Sequence, residues 1–335
     1  MTAPHILILG TGSVGKRHAG NLRALGCSVA GMDPRQDRRE EFARATDEAA
    51  TYASLEAALM AGDFDGAVVC SPTAFHVEQC LSLLDRGLPI LLEKPVAKDL
   101  AAAERLASAL TATNGRLLLG YTWRWWPPLA RLRALLAEQA IGKLHHVDFF
   151  MSAHLADWHP YEPLADFFMS SAELGGGALL DESHWLDLMH WLFGPPESLY
   201  AHVETIGGLG ISSDDNVDML VNYPDGLRAR VHLDLYGRPH RKEIRFIGER
   251  GSMVWSETPN RIAISHDAGG NWQEESFDNE RNDMFMGVAR EFLALLGGSA
   301  ATTCGLDDGI AVMRLIEAAR RSSAEGRRIG LADGA

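Results

Sequence analysis

A lysine in this 335-residue sequence lies where a polar side chain can act on a ligand. Lys94 follows the short apolar run Ile90 to Leu92 and stands between Glu93 and Pro95, at the end of a predicted buried strand. A lysine ammonium donates hydrogen bonds to substrate oxygens, and Pro95 restricts the backbone of the turn. Open α/β sheets bind ligands at the carboxyl ends of their strands, which is where this lysine is expected.

A second candidate is a histidine with carboxylates at helical spacing. Asp181, His184 and Asp187 are three residues apart on a predicted helix, which places neighbouring members on one face. Oxidation of a secondary alcohol needs a base for the hydroxyl proton and a group that stabilises the developing oxyanion. Lys94 and His184 could supply both, while a helix cap followed by a structural histidine is the alternative.

The first apolar run leads directly into a glycine-rich segment with the pattern G-x-G-x-x-G, followed by a predicted helix. The first glycine permits a tight turn, the second lets a pyrophosphate approach the backbone, and the third lets helix and strand pack closely. Asp33 ends the second strand about 20 residues further on, where a carboxylate can accept hydrogen bonds from an adenosine ribose. The predicted dinucleotide contacts of this region are Gly10, Gly12, Ser13, Val14, Gly15 and Asp33.

The residues around Asp33 also bear on the choice of cofactor. A carboxylate at this position repels the 2′-phosphate of NADP, which favours NAD. Arg35, Arg38 and Arg39 follow closely, however, and an arginine near this position can bind a phosphate. The sequence therefore predicts NAD as the cofactor, with NADP as the alternative.

The order of apolar runs and helical segments predicts the fold of the first part of the chain. Up to about residue 122, near-continuous apolar runs alternate with segments of helical periodicity, which is typical of a buried parallel sheet. The predicted strands are His5 to Leu9, Ser28 to Met32, Gly66 to Cys70, Ile90 to Leu92 and Arg116 to Gly120. We therefore predict an α/β protein in which residues 1–122 form a Rossmann domain with a doubly wound parallel sheet.

The pattern changes after residue 122. A helix is predicted from about Ala178 to Phe193, and short strands with turn signals dominate from residue 200 to 255. Residues 123–335 are therefore predicted to form an α+β domain on a large, open, mostly antiparallel sheet. Apolar residues alternate through Val217 to Leu235, and we expect a homodimer or homotetramer to cover that face of the sheet.

Composition excludes several classes of partner. The net charge is −14 and no Lys/Arg-rich block is present, so nucleic acid is not an expected partner. No apolar run approaches the roughly 20 residues that cross a bilayer, and the N-terminus lacks the order of a signal peptide. We therefore expect a cytoplasmic protein without membrane contact.

The four cysteines are scattered without C-x-x-C spacing, which favours buried thiols in a reducing compartment.

The region before the predicted helix is rich in aromatic and polar residues. The run from Ala156 to Tyr161 combines ring faces with polar groups, which suits a sugar-like substrate, and Trp158 and His159 are its candidate contacts. Trp125 and Trp126 either line the same cleft or form a core cluster beneath the cofactor.

Several side chains in this part of the chain could in principle bind a metal. They are His154, His159, Asp181, His184, Asp187 and His190. His184 and His190 are six residues apart, however, which does not bring two ligands to one helical face. Nicotinamide chemistry assisted by a lysine needs no metal, and none is predicted.

Four segments resemble one known family in their order and spacing. They are Ser71-Pro72-Thr73 with His76, Glu93-Lys94-Pro95, the junction from Gly120 to Arg124, and Gly175-Gly176-Gly177 through Asp181 to His184. In these segments the chain resembles the Gfo/Idh/MocA family of sugar and inositol dehydrogenases, over essentially its whole length.

The resemblance implies an enzyme that transfers a hydride between NAD(H) and a secondary alcohol or ketone of a sugar, cyclitol, sugar acid or nucleotide sugar. It assigns His184 as general acid-base and Asp181 to substrate hydroxyls or to tuning of His184, with Asp181 one residue closer to His184 than in many members. It implies further cofactor contacts from Ser71, Thr73, His76, Glu93 and Lys94. It implies substrate contacts from Arg124, Trp126, Trp158, His159, Asp181 and His184.

Two other functions are compatible with the same family resemblance. One is NAD-assisted glycoside cleavage, in which the sugar is oxidised transiently. The other is a catalytically silent sugar or NAD(P) sensor. Retention of Lys94, Asp181 and His184 argues against the sensor, because a sensor needs no positioned acid-base pair.

Overall fold

A computed structural model of the chain describes residues 3–158, 163–164, 167–299 and 303–331. The chain divides into two compact units. One contains the residues up to Trp125 together with Arg281–Met313, and the other contains Trp126–Glu280 together with the residues from Arg314 onward. The segment Arg281–Met313, which the sequence analysis placed in the second domain, is thus part of the first unit.

The first unit is built on a sheet that has six strands in the described part of the chain, in the order β3-β2-β1-β4-β5-β6. Every neighbouring pair in it is parallel. The strands are β1 (His5–Leu9), β2 (Ser28–Met32), β3 (Thr51–Tyr52), β4 (Gly66–Val69), β5 (Ile90–Leu92) and β6 (Leu117–Leu119). The chain progresses outward from β1 in both directions, which confirms the predicted doubly wound Rossmann topology.

Helices cover this sheet, and for that reason its strands are short apolar runs. Ile6, Leu7, Ile8 and Leu9 of β1 are completely buried. The connecting helices are α1 (Ser13–Ala24), α2 (Gln36–Ala45), α3 (Leu55–Ala61), α4 (His76–Leu84) and α5 (Leu100–Ala112). Asp99 begins the last of these by accepting a hydrogen bond from the backbone N–H of Ala102, as an N-cap residue does.

A helix from the far end of the sequence completes the core of the first unit. This helix, α10 (Arg281–Leu296), places Val288, Phe292 and Leu295 in the same apolar cluster as Ile6 and Ile8. Removal of apolar surface from water is the main stabilising contribution in such a core, so the sheet depends on α10 for its cover. The next helix, α11 (Leu306–Glu325), contributes its first part to this unit.

The second unit is built on a sheet with nine strands among the described residues, in the order β14-β13-β12-β11-β7-β10-β9-β8-β15. Strands β7 and β10 are parallel, and the other neighbours are antiparallel. The strands are β7 (Leu144–Ser152), β8 (Ser198–Glu204), β9 (Asn216–Asn222), β10 (Arg228–Asp234), β11 (Arg241–Gly248), β12 (Gly251–Ser256), β13 (Arg261–Ser265), β14 (Gln273–Ser276) and β15 (Ile329–Gly330). The predicted large, mostly antiparallel sheet is therefore confirmed.

Among the described residues, the second unit contains the later part of α11 and four other helices. They are α6 (Pro127–Ala137), α7 (Leu155–Trp158), α8 (Ala178–Asp181) and α9 (His184–Phe193). Across both units, no helix in the described ranges has the length and apolar character needed to span a membrane.

One face of the second sheet is apolar and is covered within the chain itself. Val217, Met219, Val231 and Leu233 are at most 1% exposed, and α8 lies against β9 and β10. The expectation that these residues form an open face was wrong, because strand alternation shows which residues share a face but not what packs on it. They give no reason for a partner subunit, and the homo-oligomer stays a prediction.

The opposite face of the second sheet is polar. His232 lies between two carboxylates, with its Nδ1 2.9 Å from Asp218 and its Nε2 3.1 Å from Asp234. The ring also stacks on Phe150, with 5.2 Å between the ring centroids. The hydrogen bonds to Asp234 and Asp218 raise the pKa of His232 above its usual value, although partial burial opposes this.

Candidate active site

The glycine-rich loop joins β1 to α1 and leaves open space at its centre. Gly10 has a φ of +85°, and a Cβ there would lie 2.6 Å from the carbonyl oxygen of Cys70. A Cβ on Gly15 would lie 2.0 Å from the carbonyl oxygen of Gly10, so α1 can pack against the loop only with glycine here. A Cβ on Gly12, by contrast, would meet no atom within 4 Å.

This open space lies at the N-terminus of a helix. Gly12 is the N-cap residue of α1, and helix N-termini bind anions through their unpaired N–H groups and the helix dipole. The loop therefore offers backbone N–H groups and room for a pyrophosphate in the same place. These features fit NAD.

Asp33 ties the end of β2 to the glycine-rich loop. Its carboxylate accepts hydrogen bonds from the backbone N–H of Thr11 at 2.9 Å and from that of Arg35 at 3.0 Å. The side chain is buried. A carboxylate has about four acceptor positions, so capacity remains for ribose hydroxyls.

The arginines that follow β2 are each engaged by neighbouring groups. Arg35 pairs with Asp37 at 2.6 Å, and Arg38 lies 3.9 Å from Glu41. Arg39 donates to the backbone carbonyl oxygens of residues 33 and 34. The hydrogen bond from Arg35 lowers the pKa of Asp37 to about 2, so this carboxylate is ionised at neutral pH. Local acceptors thus compete with a 2′-phosphate for all three guanidinium groups.

Lys94 lies in the turn after β5, at the carboxyl edge of the parallel sheet. It is half-buried, and the peptide bond that joins it to Pro95 is cis. The carboxylate of Glu93 lies 2.7 Å from Nε2 of His18, which is completely buried in α1. Sequence reasoning missed His18, because a pairing across 75 positions leaves no local signal.

The loop after β4 contributes Ser71, Thr73 and His76. The hydroxyl of Ser71 donates to Gln79 at 2.6 Å, and Thr73 is buried. The two ring nitrogens of His76 lie 2.8 Å from the carbonyl oxygens of Pro95 and Ser71. Burial lowers the pKa of His76. The ring therefore joins the loop after β4 to the turn after β5, and cofactor contact by these residues stays a prediction.

The junction residues after β6 lie mostly in a polar network of the first unit. The buried guanidinium of Arg124 lies 3.0 Å from both the carbonyl oxygen of Thr303 and the carboxylate of Asp308. Trp125 packs against the apolar cluster of the first unit, and its Nε1 donates to Glu291 at 2.9 Å. Of the two roles considered for Trp125, this geometry favours the core.

Trp126 is a different case. It is buried, and its Nε1 has no hydrogen-bond acceptor among the described residues. Contact of Arg124 and Trp126 with a substrate stays a prediction.

The region predicted as one helix from Ala178 to Phe193 contains α8 and α9, with a break at Glu182 and Ser183. Two backbone hydrogen bonds there, from Ser183 to Leu180 and from Trp185 to Glu182, span three residues, which tightens the turn. The single continuous helix was therefore wrong. Asp181 ends α8 and His184 begins α9, so the helical-spacing argument applies only to His184 and Asp187.

Two carboxylates hold the start of α8. Asp181 is buried and accepts a hydrogen bond from the backbone N–H of Gly177 at 3.0 Å. Asp214, which precedes β9, accepts from the backbone N–H of Leu179 at 2.8 Å, and burial raises its pKa. Gly177 has a φ of +120°, and a Cβ there would lie 2.5 Å from Asp214. Sequence reasoning missed Asp214, whose one signal was its place in an acidic pair before a predicted strand.

The aromatic loop is anchored at its first turn. Asp157 forms a two-pronged ion pair with Arg238, with both N–O distances 2.8 Å. The half-buried ring of Trp158 lies 6.4 Å from that of His240. The other predicted contact of this loop, His159, lies outside the described residues. In the described ranges, no group of three or more His, Cys, Asp or Glu side chains is arranged to hold a metal ion.

Comparison with known proteins gives consistent relatives for both units. An inositol 2-dehydrogenase from Rhizobium meliloti is 26% identical over 97% of this chain and 98% of its own length. An inositol 2-dehydrogenase from Streptomyces avermitilis is also 26% identical, over 97% of this chain and 93% of its own. The WlbA dehydrogenase from Bordetella pertussis, solved in complex with NADH and UDP-GlcNAcA, shares the fold. Its TM-score is 0.82 at 22% identity, with 98% of this chain and 99% of that chain covered.

Two family models match the chain. Residues 5–121 match the oxidoreductase family with an NAD-binding Rossmann fold, and residues 129–254 match the GFO/IDH/MocA C-terminal domain. The chain is therefore an oxidoreductase with NAD as its cofactor. It belongs to the Gfo/Idh/MocA family, which confirms the resemblance found in its sequence.

Proposed function

We propose that this chain is a dehydrogenase that transfers a hydride between NAD(H) and a secondary alcohol or ketone of a cyclitol, sugar, sugar acid or nucleotide sugar. The observation that carries the proposal is Lys94 at the carboxyl edge of the NAD-binding sheet, where such sheets bind ligands. The names of the two inositol dehydrogenases support a polyhydroxylated substrate.

The residues of the cofactor side have separate tasks in this mechanism. Bound NAD supplies the hydride acceptor in the oxidative direction. The backbone around Gly12 binds the pyrophosphate, and Asp33 accepts hydrogen bonds from the adenosine ribose. Lys94 donates a hydrogen bond from Nζ to the reacting oxygen, which stabilises the negative charge that develops as the hydroxyl proton leaves.

The proton itself is assigned to His184. An imidazole nitrogen of His184 accepts the hydroxyl proton in oxidation and returns it in reduction. Asp181 binds a substrate hydroxyl or tunes His184. Arg124, Trp126, Trp158 and His159 are proposed to contact other parts of the substrate.

We also propose that the enzyme uses NAD in preference to NADP. Asp33 repels a 2′-phosphate, and the arginines that could attract one are held by Asp37, Glu41 and backbone carbonyl oxygens. NADP should therefore bind more weakly than NAD. Equal affinities in fluorescence titrations with NADH and NADPH would contradict this preference.

The test of the proposed reaction is the absorbance of NADH formed from NAD with a panel of inositols, sugars, sugar acids and nucleotide sugars. Lys94→Ala and His184→Asn should each lower kcat/KM about 100- to 10,000-fold, the usual contribution of an acid-base group. Lys98→Ala and His190→Asn are the matched controls, since they alter the same residue types nearby and should retain activity.

Other outcomes distinguish the alternative functions. NAD binding without turnover on any compound would overturn the dehydrogenase in favour of a sensor. Cofactor that copurifies and shows no net reduction, while a glycoside is cleaved, would indicate redox-assisted cleavage.

We further propose a homodimer or homotetramer that associates through the second sheet. Its polar face carries Leu220, which is 57% exposed in the single chain. A monomer at micromolar concentration in analytical ultracentrifugation would contradict this assembly.

A further inference from the structure

The residues on both sides of Lys94 are bonded to buried histidines. On one side, Nε2 of His18 lies 2.7 Å from the Glu93 carboxylate. On the other, Nδ1 of His76 lies 2.8 Å from the carbonyl oxygen of Pro95. His18 is 0% exposed and His76 is 1% exposed. The turn that carries Lys94 is therefore fixed immediately before and immediately after the lysine.

The contact with His18 has a definite direction. An ionised carboxylate can only accept, so the proton of this hydrogen bond resides on Nε2 of His18. Nδ1 of the same ring is buried and has no hydrogen-bond partner among the described residues. The ring otherwise lies edge-on to Phe285, at 5.5 Å between centroids. Burying a polar ring with one nitrogen unpaired is unfavourable, and the Glu93 contact is the polar interaction that offsets it.

The side chain of Glu93 is largely buried, with 11% of its surface exposed. Gly120, at the end of β6, lies so close that a Cβ there would be 3.2 Å from the carboxylate. His18 belongs to α1, the helix whose N-terminus faces the open space of the glycine-rich loop. The Glu93 contact therefore links the pyrophosphate-binding helix to the turn of Lys94.

The contact with His76 links a different element to the same turn. Its other ring nitrogen, Nε2, lies 2.8 Å from the carbonyl oxygen of Ser71, in the loop after β4. The ring thus spans the two loops at the carboxyl ends of neighbouring strands β4 and β5. Because it contacts backbone atoms, it constrains the path of the chain and not a side-chain rotamer.

We propose that His18 and His76 are positioning residues that together hold the Lys94 turn in its productive orientation, a role that rests on the proposed function of Lys94. The side chain of Glu93 and the carbonyl oxygen of Pro95 are both held, so the backbone that carries Lys94 is restricted on both sides of the lysine. Hydride transfer is sensitive to such placement, because a displacement of about 1 Å can cost about 100-fold in rate.

The two histidines use different nitrogens on the Lys94 turn, which allows a reciprocal test. Glutamine places its amide nitrogen near the position of His Nε2, and asparagine near that of Nδ1. His18→Gln should therefore keep the bond to Glu93, while His18→Asn should lose it. At the second site both ring nitrogens face carbonyl oxygens, and a neutral imidazole donates from only one nitrogen, so the proposal places the ring proton of His76 on Nδ1. The order then reverses, so that His76→Asn keeps the bond to Pro95 and His76→Gln loses it.

The expected kinetic result is a crossed pattern. His18→Asn and His76→Gln should lower kcat about 10- to 100-fold, and the conservative variants His18→Gln and His76→Asn should each lose clearly less than their partners. In a Lys94→Ala background all four substitutions should have almost no further effect, because residues that act through one group are not additive. Thermal melting and NADH binding of each variant check that it is folded.

A second readout does not require turnover. The rate at which an amine-reactive reagent modifies Lys94, relative to Lys98 in the same sample, can be followed by mass spectrometry. His18→Asn and His76→Gln should change this ratio, and His18→Gln and His76→Asn should not. Absence of turnover in the wild type would refute the proposed function, yet the labelling ratio would still decide the positioning role. An unchanged ratio in all four folded variants, or the same order of asparagine and glutamine at both sites, would overturn it.

Discussion

Replacing Gly12 by alanine should abolish most cofactor binding without disturbing the fold. The added methyl group would meet no protein atom within 4 Å, and the φ of −68° suits alanine. The cost to folding should be limited to the N-cap preference for glycine over alanine, about 1 kcal/mol or less. The methyl group would, however, project into the space assigned to the pyrophosphate.

The loss of affinity follows from the hydrogen bonds that the methyl group would prevent. A hydrogen bond between a backbone N–H and a charged oxygen contributes about 1.5–3 kcal/mol. Displacing the pyrophosphate from one or two such groups should weaken binding roughly 10- to 10,000-fold, since each 1.4 kcal/mol is a factor of ten. Calorimetric titration with NADH measures this directly, and thermal melting measures the fold.

The matched control is Gly20→Ala in the same helix. A Cβ at this position also meets no atom within 4 Å, but Gly20 lies in the interior of α1. Alanine there should stabilise the protein by up to about 1 kcal/mol and leave NADH affinity unchanged. If Gly12→Ala bound NADH as tightly as this control, the pyrophosphate would not lie at the start of α1 and the assignment of the loop would be refuted.

Three further predictions concern stability. Gly15→Ala should destabilise the fold by about 1–3 kcal/mol in urea unfolding, because its Cβ would overlap the Gly10 carbonyl oxygen; an unchanged midpoint would contradict the packing described. Arg124→Ala should lower the free energy of unfolding by about 2–4 kcal/mol, somewhat less than the loss of a fully buried ion pair, because the side chain of Asp308 is 31% exposed. Arg124→Lys should recover only part of this stability in the same urea assay. The pKa of His232 is raised in the folded protein, so protonated His232 stabilises the fold. This stabilisation is complete below the pKa that His232 has in the unfolded chain, and it is lost as the pH rises through the pKa that it has in the folded protein. The difference in melting temperature between the wild type and His232→Gln should therefore decrease from pH 6 towards higher pH. Parallel pH profiles of the two proteins would disprove a stabilising ion pair of His232 with Asp218 and Asp234.

Local sequence patterns predicted five of the six Rossmann strands found in the described residues. β1, β2 and β5 have the predicted bounds, because a buried parallel strand is a continuous apolar run that can be read directly. The two-residue strand β3 was missed, since Thr51 and Tyr52 are too few to form a pattern. The break between α8 and α9 was also missed, because its apolar periodicity continues across a local change in hydrogen bonding.

Long-range pairing explains the remaining differences. Nothing near His18 in the sequence shows that Glu93 will accept its hydrogen bond, and nothing near Asp214 shows that it will hold the start of α8. Some predicted site residues, such as Asp33 and Lys94, directly follow a strand, and a local pattern was enough to suggest them. The residues that support them come from elsewhere in the chain, and only the folded structure brings them together.

The division of the first unit between two stretches of sequence has a consequence for synthesis. A ribosome completes β1 to β6 long before it reaches α10, and the whole of 126–280 is made in between. During that interval the side chains of Ile6, Ile8 and Leu118 lack the cover that Phe292 and its neighbours provide. The core of the nascent Rossmann sheet can therefore close only after α10 has been synthesised. A fragment that stops at residue 122 should be prone to aggregate, and chaperones that bind exposed apolar surface should act on this protein chiefly in that window.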